Sequence, residues 1–265
     1  MMHYSFMLID SVPILDAEPD RFLGVLREHG YEGIELNLTP QLVERLDLLQ
    51  AAVKGSGLVV PSFLTGASYG TDCCLSSPDA SARSHAIESL IGYLAIAQRF
   101  DAILVVGLLQ GLRSDEPDEV QANHRIADAL RRVGDAAEKR GVDLVIEPVN
   151  HLQVGFNNSV AEVRSLIEAI GSPRFRPMVD TIHMNVEETS LTQPIRECGP
   201  ELRHVHLCES NGAVLGSGHI DFGTVLSALG DIGYEGFASV KVYRKATVEE
   251  AARESMAHLT SLPRH

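Results

Sequence analysis

The chain is predicted to fold as a single α/β domain over residues 1–265, a closed parallel (β/α)8 TIM barrel. Three observations carry that expectation. Eight short apolar runs rich in β-branched residues alternate with longer amphipathic segments along the whole chain. Several of those segments close on a glycine just before the next apolar run. No Gly/Ser/Pro-rich linker or low-complexity stretch interrupts the alternation, and 265 residues match one large α/β domain better than two average ones.

The apolar runs, read as strands in order, are SFMLI (5–9), GIELN (33–37), LVVPSF (58–63), AILVVG (102–107), VDLVIE (142–147), FRPMVD (175–180), LRHVHL (202–207) and FASVKV (237–242). Between them lie helical patterns such as SHAIESLIGYLAIAQRF (84–100) and HRIADALRRVGDAAEKR (124–140). Apolar residues there recur at three- and four-residue steps, with charge on the other face. Gly30, Gly141, Gly171 and Gly233 suit left-handed helix stops. An open doubly wound sheet is the alternative, yet no GxGxxG follows the first strand, and no nucleotide cofactor is expected.

Composition narrows the function classes. No apolar run approaches the roughly 20 residues of a membrane span, and MMHYSFMLID carries acid where a signal peptide would carry base. A cytoplasmic protein with no membrane partner is expected. The four cysteines show neither CxxC nor zinc-like spacing and read as reduced thiols. Net charge is −14, from 22 basic and 36 acidic residues, so nucleic acid is not an expected partner.

In such barrels the chemistry sits where strands end. Strand five ends in Glu147, strand six in Asp180, strand seven in His206 and strand eight in Lys241, and all four should point into one pocket. Glu147, Asp180 and His206 are oxygen and nitrogen donors suited to Mn²⁺, Mg²⁺, Co²⁺ or Zn²⁺, with positions left for substrate oxygens. Such an ion would act as a Lewis acid on a carbonyl and its neighbouring hydroxyl. A carboxylate beside it can remove the proton between them. The bland alternative is a structural ion-pair network of the same residues.

Four segments, EPVN (147–150), MVDTIHMNVEE (178–188), HVHLCESN (204–211) and GSGHIDF (216–222), resemble the ketose 3-epimerases, the D-tagatose and D-psicose 3-epimerase family. YEGIELN (31–37) and LSSPDASARSHAIESL (75–90) extend the likeness over nearly the whole chain. That family sits in the xylose-isomerase-like barrel superfamily. The resemblance implies an isomerase acting on a small sugar or polyol, and a homodimer or homotetramer. It implies a divalent metal held at Glu147, Asp180 and His206 and by a second glutamate at the end of strand eight. Those two glutamates would face opposite sides of the substrate's C3, one removing its proton and the other returning it. His183 matches a histidine that contacts substrate oxygens.

Three positions depart from the family pattern. Lys241 stands in SVKV where the second glutamate belongs, Gly212 where an arginine grips the sugar, and Gln153 where a glutamate binds the substrate end. An amide at 153 can still hydrogen-bond a hydroxyl. Lys241 changes the local charge by two units, and an ammonium does not ligate a metal. It can take the metal's place against Glu147 and Asp180, act as a base or Schiff-base amine, leave the site silent, or swing out of a three-ligand shell. A lyase or dehydratase using Lys241 and a non-catalytic sugar-binding barrel are therefore the alternatives to an epimerase.

Among the remaining residues, Glu35 in strand two is placed near the substrate, and Glu209 against either substrate or a ligand. His204 is read as a packing residue facing away from His206. His219 is read as shaping its loop. Gly66, Gly107 and Gly111 follow strands three and four, where a small residue admits close approach. Cys73 and Cys74 are placed on a lid loop after strand three.

Overall fold

Backbone groups in an apolar run that cannot form a helix must pair with a neighbouring strand, and here the eight runs do so in chain order. In the computed structural model, which describes residues 2–9, 19–244 and 246–263, the strands are β1 (His3–Leu8), β2 (Gly33–Asn37), β3 (Ser62–Leu64), β4 (Ile103–Val106), β5 (Leu144–Ile146), β6 (Phe175–Asp180), β7 (His204–Cys208) and β8 (Phe237–Lys241). They form a closed barrel in the order β1 to β8, the predicted fold.

The helices are α1 (Pro19–Glu28), α2 (Pro40–Val43), α3 (Leu46–Ser56), α4 (Ala80–Phe100), α5 (Glu119–Arg140), α6 (Val160–Ile170), α7 (Thr181–Glu187), α8 (Gln193–Cys198), α9 (Phe222–Asp231) and α10 (Val248–Ser261). Their starts are chemically specified. Asp118 accepts from the amides of Val120 and Gln121 to open α5, and Ser159 with Glu162 forms a capping box on α6. The predicted stops hold: Gly141 and Gly171 sit in the left-handed conformation directly after α5 and α6. Along α5, Ala122, Ile126, Leu130, Val133 and Ala137 form the buried stripe. No helix among the described residues is long and apolar enough to cross a membrane.

Two compact units make up the chain. In Met1–Pro61 with Val179–His265, β1 pairs with β2 and β8, and β7 pairs with β8 in the register Val205↔Ala238 to Cys208↔Lys241. In Ser62–Met178, β3 pairs with β4, β4 with β5, and β5 with the start of β6. Ile103, Val105, Val145 and Met178 pack there as an apolar cluster, with Leu64 against it.

One strand boundary differs from expectation. The run LVVPSF enters the barrel only at Ser62, because Pro61 has no N–H for a ladder. Val59 makes a single bridge to Gly33 instead.

Candidate active site

Asp180 ends β6 and caps α7. Its Oδ1 accepts from the Ile182 N–H at 3.0 Å, satisfying an amide the helix leaves without a partner. Oδ2 is then met by three other groups. Lys241 Nζ donates to it at 2.7 Å. His206 Nδ1 lies 3.3 Å from the same oxygen, and His183 Nε2 3.6 Å. His183 reaches it because residues i and i+3 share a helix face, and its Nε2 stands 3.5 Å from Lys241 Nζ.

Thr181 holds this arrangement in register. Its hydroxyl donates to the Cys208 carbonyl at 2.7 Å and accepts from the Cys208 N–H at 2.8 Å, fastening the start of α7 to the end of β7. Burial works against charge on Asp180. The Lys241 ammonium, with His183 and His206, outweighs that and holds the carboxyl well below the usual carboxylate range.

One strand position further in lies a second cluster. Glu35 Oε1 accepts from His204 Nε2 at 3.1 Å and from His206 Nε2 at 3.2 Å. The two imidazoles meet edge to face at 5.1 Å, and none of the three residues is more than 1% exposed. This corrects the expectation for His204: positions two apart on a strand share a face, so 204 and 206 point the same way. Glu35 is fully buried, and its Oε1 is engaged by both imidazoles. Burial raises the Glu35 carboxyl, and His206 and His204 together reverse this, so it lies well below its ordinary value. Burial lowers His204, only partly countered by Glu35.

The loop after β7 is built around Glu209. Its Oε1 accepts from Ser210 N–H, Ser210 O–H and Ile220 N–H, and its Oε2 from Gly216 N–H at 3.0 Å. These bonds hold the carboxyl below its ordinary range against burial. Glu209 therefore organises GSGHIDF through these four bonds. His219 shapes the same loop, with its ring against the Asn185 side chain at 3.1 Å. Gly212 has φ +70°, and a Cβ there would lie 2.6 Å from the Tyr243 ring. Its carbonyl accepts from the amides of Tyr243 and Arg244. An arginine at 212 would displace that ring.

In the other unit, Glu147 follows β5 directly, and its N–H still bonds the Val106 carbonyl at 2.9 Å. The side chain is buried. Gly107 gives it room, since a Cβ at 107 would come within 2.6 Å of Glu147 Oε2. Behind it, Gln110 Nε2 donates to the Glu147 carbonyl, and Gln110 Oε1 accepts from Asn157, which also reaches Asn123. Gln153 is exposed on the turn that follows. Cys73 and Cys74 are buried rather than on an open lid, and burial raises both thiols.

A divalent ion can be tested against these residues. Glu35, His204 and His206 offer ligand atoms within 4.8 Å of one another, but those atoms already bond each other. Asp180 Oδ2, the oxygen turned toward His206 Nδ1, carries the Lys241 ammonium. At a separation of about 4 Å and an effective dielectric constant of about 20, a dication and an ammonium repel by about 8 kcal/mol. The shell of three carboxylates and one histidine that the family likeness implies is therefore disfavoured here, because an ammonium already sits on Asp180 Oδ2.

The family model for the xylose isomerase-like TIM barrel matches residues 23–262. An L-ribulose 3-epimerase from Mesorhizobium japonicum is 31% identical over 239 residues, covering 88% of this chain and 78% of that protein. A ketose 3-epimerase from Arthrobacter globiformis is 30% identical, covering 83% and 76%. A solved structure of an L-ribulose 3-epimerase superposes with a TM-score of 0.85 at 25% identity, covering 98% of this chain and 94% of that one.

Proposed function

Because this chain belongs to the xylose isomerase-like TIM barrel family, as a ketose 3-epimerase-type enzyme of the isomerase class, we propose that it inverts a carbon next to the carbonyl of a ketose. The Glu147 carboxylate removes the proton from that carbon. The C–H electron pair becomes the new C=C bond, and the carbonyl π pair moves onto oxygen, giving an enediolate. Lys241, standing where the likeness puts the second glutamate, returns a proton to the opposite face and later regains one through solvent from the Glu147 acid. Electron flow reverses, and the substrate leaves as its epimer.

The observation that carries this reading is the meeting of Lys241, His183 and His206 on one buried carboxylate at the strand ends. In this reading the Lys241 cation stabilises the negative charge that develops on the substrate oxygen. His183 and Gln153 hydrogen-bond substrate hydroxyls. The partner is a small sugar or polyol, and a net charge of −14 disfavours a polyanion. We take residues 1–265 as one domain, working in the cytoplasm as a homodimer or homotetramer.

The test is solvent exchange. Ketoses incubated with the purified chain in D₂O should gain deuterium at C3 and convert to the C3 epimer, followed by NMR. Ketose binding with no deuterium uptake in any of the sugars tried, phosphorylated ones included, would show a binder and end this reading.

A further inference from the structure

We infer that Lys241 occupies the place of the divalent cation, so that this enzyme works without a metal. The place, not only the residue type, supports this. Asp180 has two oxygens: one is fixed by the Ile182 amide and the other accepts from Lys241 Nζ at 2.7 Å. His206 cannot turn away to offer a fresh ligand direction, because its Nε2 is held by Glu35 while Nδ1 faces Asp180 Oδ2. His183 flanks both the carboxylate oxygen and the ammonium. A metal entering beside Asp180 would have to expel the ammonium from a carboxylate with no solvent exposure.

The charge count agrees. The ligand set implied by the likeness holds three carboxylates against a dication. Here a cation stands in place of the third carboxylate, so Asp180 and Lys241 form a neutral pair without a dication. The lysine then neutralises Asp180, and its positive charge at the strand end stabilises the enediolate as it forms. No bond to Lys241 forms; it acts through charge and hydrogen bonds, and exchanges only protons.

The inference rests on the proposed epimerase for the reaction it serves, and its test is independent of turnover. Full-length protein is analysed for bound metal, then titrated with Mn²⁺ alone by calorimetry and by the Mn²⁺ paramagnetic resonance signal. Wild type should hold far less than one metal per chain and show no saturable Mn²⁺ site. K241E should bind one Mn²⁺ per chain at least about 100-fold more tightly, because a repelling charge becomes a ligand. Stoichiometric metal in wild type, or tight Mn²⁺ binding abolished by D180N, would overturn the inference. If K241E does not fold, the wild-type titration with D180N as control still decides. Deuterium exchange in chelator separates the two ideas. Exchange that persists at the wild-type rate supports both, and exchange lost to chelator but restored by Mn²⁺ overturns only this one. A metal-free chain that exchanges no ketose overturns the epimerase reading alone.

Discussion

The two compact units bury their strand faces by opposite means. In Ser62–Met178, β4, β5 and β6 present Ile103, Val105, Val145 and Met178, an apolar cluster. In Met1–Pro61 with Val179–His265, the strands present Glu35, Asp180, His204, His206 and Lys241. The first arrangement gains from removing hydrocarbon from water and is indifferent to proton concentration. The second must pair each buried charge or lose stability. One unit is therefore held by apolar packing at these positions, while the other is an electrostatic assembly whose order depends on its ion pairs.

That contrast can be broken at several points. Glu147→Gln keeps the size of the side chain and removes the proposed base, so deuterium exchange should fall about 10²–10⁴-fold. Its melting temperature should stay close to wild type, and an unchanged exchange rate would move the chemistry away from this unit.

Lys241→Met leaves Asp180 buried without its cation and should cost about 3–5 kcal/mol in urea unfolding at pH 7. Met178→Ala, in the apolar cluster, should cost about 2–4 kcal/mol through a cavity. The apolar loss should be the same at every pH where the protein is folded, whereas the ionic one should not.

Acid sharpens the difference. Glu35 and Asp180 have folded values well below the ordinary carboxylate range. Their stabilising contribution is therefore full above about pH 4, the unfolded range, and is lost as pH falls through the lower folded values. Glu35→Gln should be less stable than wild type by about 2–3 kcal/mol at pH 7. That gap should narrow as pH drops below about 4. A gap constant across the acid range would mean that Glu35 acts by packing alone. The smallest effect belongs to the loop. Glu209→Gln loses part of four hydrogen bonds and should cost about 1–2 kcal/mol, with KM changing more than kcat.

Much of this is legible before any coordinates. Alternating apolar runs and helix-stop glycines specify eight βα units, because backbone pairing and side-chain periodicity are local properties of the chain. Glu147, Asp180, His206 and Lys241 can be named as strand-end residues for the same reason. The i, i+2 spacing of His204 and His206 is a local signal too, and read correctly it puts both rings on one face.

What the tertiary structure alone decided is which atoms meet. Glu35 is separated from His204 by 169 residues, and Asp180 from Lys241 by 61, distances over which no periodicity informs. Whether Lys241 ends on Asp180 or in solvent, whether Glu209 turns to its own loop, and whether Tyr243 fills the space over Gly212 depend on closing the strands into one register. Charge complementarity and excluded volume act between residues only once folding has brought them within a few ångströms.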